Sequence, residues 1–288
     1  MSPSSIAPPA PPVRRSAAAF AVTAGLAAVL GTAALGGRGL LVRQAAQARE
    51  LIGKPLGEDA LAADRTFKKK QGRRIELLVL GDSVAAGLGA ERPRDTLGAR
   101  LARSLAKRTG RAVRLRTAAV VGSESSALLG QVAGLRPSYR PDVAVVVVGG
   151  NDVTHRVPVA ESVAHLVACV EALQELGAEV VVGTCPDLGM LRPLRQPLRR
   201  LASRASRQLA AAQARAVAPL GATVVSLSEA VGHHFVREPD VMFSLDRFHP
   251  SSVGYKRTAQ ALVPHLEAAL VRPRHEAGPT FALAGGEC

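Results

Sequence analysis

The sequence predicts an α/β fold: a three-layer αβα sandwich on a five-stranded parallel sheet. Three observations predict it. Short, β-rich apolar runs recur between Ile75 and Leu227. Segments with apolar residues at helical spacing separate them, the alternation that parallel β/α units require. Polar residues cluster just past the ends of the runs, where open sheets of this kind build their sites. No internal repeat or second domain interrupts the pattern.

The elements follow in order. Ile75–Leu80 reads as a buried strand that stops at Gly81. Asp95–Thr109 has Leu97, Leu101 and Leu105 at helical spacing and ends at Gly110. Val113–Ala118 is a second strand, and a helix is expected from Ser126 to Gly134. Val143–Val148 is an unbroken β-branched run apart from Ala144, the pattern of a strand buried on both faces. Ala160–Leu176 is an amphipathic helix closed by Gly177. Glu179–Thr184 is strand four. A Pro-broken basic segment leads to a helix from about Pro197 to Ala218, and Ala222–Leu227 is strand five. Ser251–Leu270 is the last helix.

The amino terminus has a different character. Pro8–Pro12 marks a disordered start. Ser16–Gly37 is uncharged and apolar and follows Arg14 and Arg15, the arrangement of a secretory signal or signal anchor. Arg38, Arg43 and Arg49 lie beyond it, so charge does not orient it. The expected organisation is a disordered 1–15, a signal or anchor 16–37, a basic linker 38–74 with a short helix at Arg43–Ile52, an α/β domain 75–271 and a loose tail 272–288. This places the protein outside the cytoplasm, secreted or held at a membrane.

Charge is unevenly placed. The net charge of +14 comprises +8 in residues 1–74 and +7 between Leu188 and Ala222, with about −1 in the remainder. These stretches suit a juxtamembrane flank and a solvated helix face. No zinc-finger spacing or interleaved aromatic pattern points to nucleic acid. Three scattered cysteines, Cys169, Cys185 and Cys288, do not form a disulfide framework. Cys185, after strand four, reads as a small buried hydrophobe.

Three polar clusters fall at strand ends: Asp82-Ser83, Asn151-Asp152 and Asp246-Arg-Phe-His249. Each has a plain structural use, as a helix cap, a turn or a surface pair. Together they have a chemical one. A serine hydroxyl attacks only when a base takes its proton, and histidine has the right pKa. The histidine needs an acceptor at its other nitrogen, which Asp246 can supply from three residues away. The backbone N–H groups of Ser83 and Gly122 and the amide of Asn151 could hold an oxyanion. Asp152 is expected to hold its loop. His155, beside Asn151, reads as incidental.

Four blocks in this order resemble the SGNH hydrolase family, the GDSL esterases and lipases: Gly81-Asp82-Ser83 with Gly87, then Gly122, then Gly149-Gly150-Asn151-Asp152, then Asp246-Arg247-Phe248-His249-Pro250. Ser251, Gly254 and Tyr255 extend the last block. The lead-in to Gly122 lacks a recognisable family residue, and Val84 stands where the name-giving motif has Leu. The resemblance spans about Ile75 to Leu270. It implies a flavodoxin-like sandwich, a Ser83–His249–Asp246 triad, and ester hydrolysis without metal or cofactor. The expected partner is a small-molecule or lipid ester. Few aromatics and no obvious lid suggest an open site for small or medium acyl groups. The competing readings are an envelope glycan or lipid deacetylase or acyltransferase, and a non-catalytic membrane-tethered binding module.

Overall fold

A computed structural model describes residues 36–57 and 59–271. The expectations for 1–15 and 272–288, and for nearly all of 16–37, lie outside the described residues, as do Cys288 and His275. Two compact units divide the chain at residues 46 and 47. Residues 36–52 are helical (α1), a longer helix than the one expected at Arg43. Everything below concerns the second unit.

Its strands are β1 (Thr66–Phe67), β2 (Ile75–Gly81), β3 (Val113–Thr117), β4 (Val143–Val147), β5 (Glu179–Gly183) and β6 (Thr223–Val225). The helices are α2 (Ser83–Ala86), α3 (Leu97–Thr109), α4 (Leu128–Ala133), α5 (Gly150–His155), α6 (Val159–Glu175), α7 (Leu198–Val217), α8 (Leu227–Arg237), α9 (Pro239–Met242) and α10 (Ser252–Val271). The sheet order is β1-β3-β2-β4-β5-β6. The five expected strands are all present and parallel. The sixth, β1, is an antiparallel edge strand pairing Thr66 with Arg114 and Phe67 with Val113. It lies in the stretch read as a linker. Two residues are too few to show a period of two, so a linker reading was the natural outcome. Helices α8 and α9 were also not foreseen.

Alternation along the strands builds two cores. Ile75, Leu77 and Val79 of β2, with Val143, Val145 and Val147 of β4, face α3 and α10. Leu78 and Leu80, with Val146 and Val182, face α4, α6 and α7. Both faces of the central strands are therefore covered, which is why their sequences read as continuous apolar runs. The strand order reverses at β2: β3 lies on one side and β4 on the other. In open α/β sheets such a reversal leaves a crevice at the carboxyl ends of the strands. Ser83 leaves β2 and Asn151 follows β4, so both border this crevice.

Candidate active site

Backbone packing explains how β2 hands over to Ser83. Gly81 has φ 130°, and a Cβ there would lie 1.8 Å from the Val147 carbonyl oxygen, so only glycine fits. The next residue, Asp82, donates its N–H to that same oxygen at 3.1 Å. The Asp82 side chain then caps α2, its Oδ1 accepting from Val84 N at 2.9 Å. The capping use of this residue is thus realised. Ser83 opens the helix, largely buried.

A residue that sequence reasoning passed over braces this turn. Gln131, on α4, accepts from Gly81 N and donates to Gly81 O, both at 2.9 Å. Its amide pairs the Gly81 N–H and shares the Gly81 carbonyl with Val120 N, which donates to it at 3.1 Å. The same Nε2 lies 3.4 Å from Ser123 Oγ, beside Gly122. Gln213 acts alike between β4 and β5: it donates to Val148 O at 3.0 Å and accepts from Cys185 N at 2.8 Å. Both glutamines are buried, where an unpaired backbone group would be costly.

The third cluster reaches the same edge. His249 Nε2 lies 2.9 Å from Ser83 Oγ, and His249 Nδ1 lies 2.5 Å from Asp246 Oδ2. Asp246 Oδ1 accepts from Phe248 N at 3.0 Å and His249 N at 2.9 Å. Arg247 takes a left-handed φ of 56°, which folds the loop back onto the carboxylate. Ser251 Oγ accepts from Val253 N and Gly254 N, capping α10, and donates to Val241 O. Buried Tyr255 donates to Leu88 O at 2.6 Å, tying α10 to the segment after the Ser83 turn.

Asn151 and Gly122 meet through their loops. Asn151 Nδ2 donates to Ser123 O at 2.9 Å, next to Gly122. Gly122 has φ 82°, while a Cβ there would meet nothing within 4 Å. That positive φ is what favours glycine there. Asp152, buried, accepts from Ser125 N with both oxygens at 3.2 and 3.1 Å, the loop-holding task expected of it. His155 is exposed and pairs with Glu124 at 2.6 Å. The Gly150–His155 stretch, read as a loop, forms the short helix α5.

The two aspartates flanking Ser83 and His249 titrate oppositely. Burial pushes Asp82 up to about 6, against the opposing pull of Val84 N–H, His249 and Gly150 N–H. Burial also acts on Asp246, but hydrogen bonds from the His249 ring and the two backbone N–H groups hold it below the ordinary carboxylate value. Cys185 is fully buried, and burial with the nearby carboxylates of Asp82, Asp152 and Asp187 raises its thiol far above the usual range. It stays protonated and packs as a hydrophobe.

A mostly apolar cavity opens beside Ser83 and Asn151, walled by Leu188, Leu191, Leu227, Val231, Phe235, Phe243 and Phe248. Three of the six phenylalanines concentrate here. The walls come from α8, the turn at Leu188–Met190 and the loop before α10. Leu227, Val231 and Phe235 recur every four residues, a helical signal that was present in the sequence. Among the described residues no group of three or more His, Cys, Asp or Glu is placed to hold a metal ion.

Residues 79–257 match the model of the GDSL-like lipase/acylhydrolase family. A GDSL-like esterase of Mycobacterium tuberculosis is 41% identical over 279 residues, which span 91% of this chain and 88% of that protein. Among solved structures, TesA aligns with a TM-score of 0.54 and 26% identity over 67% of this chain and 99% of its own. An acetylxylan esterase of Geobacillus stearothermophilus has the same fold, with a TM-score of 0.53 and 18% identity over 70% of this chain and 99% of its own.

Proposed function

Because the chain belongs to the GDSL-like lipase/acylhydrolase family, the SGNH hydrolases, and is a carboxylic ester hydrolase, we propose that it works through an acyl-enzyme on Ser83. The hydrogen-bond chain Ser83 Oγ–His249–Asp246 carries this reading. With a proton on Nδ1 held by Asp246, Nε2 accepts the Ser83 proton as Oγ attacks the ester carbonyl. Asp246 stabilises the resulting imidazolium. The oxyanion is held by the N–H groups of Ser83 and Gly122 and by the Asn151 amide. His249 returns the proton to the leaving alcohol. It then activates water, which releases the acid from Ser83.

The apolar cavity receives the acyl chain. Its walls favour an aliphatic group of medium length, and each methylene buried there is worth about 0.8 kcal/mol, or about fourfold in kcat/KM. A p-nitrophenyl ester series tests this: kcat/KM rises with chain length until the cavity is full, then falls. A flat series would refute the acyl assignment. Fluorophosphonate labelling tests the nucleophile; labelling of Ser83→Ala at full stoichiometry would overturn it.

Enzymatic ester hydrolysis by the family sets the non-catalytic module aside. Export rests on the composition of residues 16–37 alone. Among the described residues no helix is long and apolar enough to cross a membrane. Fractionation of cells expressing the full chain tests export, and a wholly cytoplasmic product would rule it out.

A further inference from the structure

At the opposite end of the sheet from Ser83 lies a second, polar cleft. The register explains it. Glu76 pairs with Arg114, and Leu78 with Arg116, across β2 and β3. These residues share the sheet face that α4, α6 and α7 cover further in. Helix α4 is only six residues long, and the loop that follows it runs past the sheet edge. Arg114 and Arg116 stand where a covered sheet would have apolar residues. The cleft between them and the loop is lined by Arg74, Arg136, Arg140 and Tyr139 as well.

The charge there is unbalanced. Five guanidinium groups meet two carboxylates, Asp64 and Glu76. Arg65 also borders the cleft, but its guanidinium stacks 4.7 Å over the Phe67 ring. Glu76 is engaged by Arg74 at 2.7 Å and lies 4.0 Å from Arg114. Asp64 lies 3.7 Å from Arg116 and also accepts from Thr117 N. The side chains of Arg74, Arg114 and Arg116 remain about half exposed. Arg140 braces the loop by donating to Pro137 O and Tyr139 O.

A second observation is independent of charge. The Tyr139 hydroxyl is buried without a hydrogen-bond partner, as is Glu76 Oε2, which has only the 4.0 Å ion pair to Arg114 Nε described above. Two of the seven such atoms among the described residues thus fall in one cleft. Burial, with the Glu76 carboxylate beside it, raises the Tyr139 pKa well above its ordinary value, so the hydroxyl remains a donor. A buried polar atom left unpaired is costly. A ligand with anionic oxygens would pair the arginines and the tyrosine, and a hydroxyl on it would pair Glu76.

We infer that this cleft is a binding site for a phosphate-bearing anion, recognised by Arg74, Arg114, Arg116 and Arg136 with Tyr139 as a neutral donor. Forked guanidinium groups match phosphate oxygens in pairs. The site is separate from the ester chemistry. Glu76 and Ser83 are seven residues apart along β2 and its turn, roughly 20 Å at strand spacing. The phosphate belongs to a soluble ester or to a lipid headgroup, two sources with one chemistry.

Calorimetry of the full chain with inorganic pyrophosphate tests the site. Saturable binding is expected, weakened by about tenfold or more in the double variant Arg114→Gln/Arg116→Gln. Tyr139→Phe should bind several-fold more weakly while its Tm is unchanged or higher, since phenylalanine leaves no orphaned hydroxyl. Hydrolysis of p-nitrophenyl butyrate should stay within about twofold in both variants, which certifies their folding. Flotation with phosphatidylcholine vesicles, with and without phosphatidic acid, separates the sources. Binding to phosphatidic acid that pyrophosphate and the double variant both abolish assigns a headgroup; otherwise a soluble phosphate ester is assigned. No saturable pyrophosphate binding, or full-strength binding by the double variant, overturns the site. So does a lower Tm in Tyr139→Phe with unchanged affinity.

Discussion

Asp82 and Asp246 sit in similar turns on either side of the Ser83–His249 pair. Each is 3% exposed, and each accepts the backbone N–H two residues on, from Val84 and Phe248 respectively. Yet Asp82 is pushed up to about 6 and Asp246 is held below the ordinary carboxylate value. Burial acts on both but more deeply on Asp82, and the contacts differ as well. Asp246 adds the hydrogen bond of the His249 ring at 2.5 Å, which has no counterpart at Asp82. Asp82 lies near the carboxylate of Asp152, which opposes its ionisation. The same residue in the same turn is thus an anion in one loop and a burdened acid in the other.

Substitution at Asp246 should break this contrast most severely. Asp246→Asn keeps the shape but removes the charge that fixes the His249 tautomer. A fall in kcat of about 10⁴ is expected, read from p-nitrophenyl ester turnover. Retention of a tenth of the activity would mean that the charge on this side is not used. The next effect lies across the crevice. Asn151→Ala should lower kcat by about 10²–10³ with KM little changed, since the role proposed for its amide is on the oxyanion and not on the bound ester.

Much of this site is legible in the sequence, for a physical reason. Ser83, Asn151, Asp246 and His249 are polar residues immediately after apolar strands or before a capped helix, so their positions at one sheet edge follow from strand direction. Gln131 gave no such signal. It lies inside a short helix, and its partner Gly81 is fifty residues away in sequence. Gln213 hides in the same way within α7. The β1 edge strand is too short to leave a period. Helix α8 begins at Leu227, two residues after β6 ends, so strand and helix merged into one apolar run. Reading that run as a strand alone hid the walls of the apolar cavity.

Gln131 sharpens the contrast from the Asp82 side, because it fixes the strand end on which that turn is built. Gln131→Leu leaves the N–H of Gly81 unpaired, at about 1–3 kcal/mol, while its C=O keeps Val120 N at 3.1 Å. Denaturant unfolding should show that loss. Turnover should drop by about tenfold as Ser83 shifts against His249. Gln131→Glu should recover only part, since a carboxylate can accept from Gly81 N but cannot donate to Gly81 O. Equal unfolding midpoints for Leu, Glu and the parent would show that Gly81 finds other partners.

The last contrast is in the dependence of stability on pH. The folded protein holds the Asp82 proton more tightly than the unfolded chain, with a pKa of about 6 against 3.8. Its contribution is fully present below about pH 4 and is lost as pH rises through about 6, a span of roughly 3 kcal/mol. Asp246 has the opposite sign. Its contribution is present above the unfolded carboxylate value and is lost as pH falls through its depressed folded value. Asp82→Asn should therefore flatten the decline of Tm between about pH 4 and pH 6, whereas Asp246→Asn should flatten the decline below about pH 4. Thermal scans across that range separate the two. If both variants change the same limb, the two turns do not differ in the way their hydrogen bonds require.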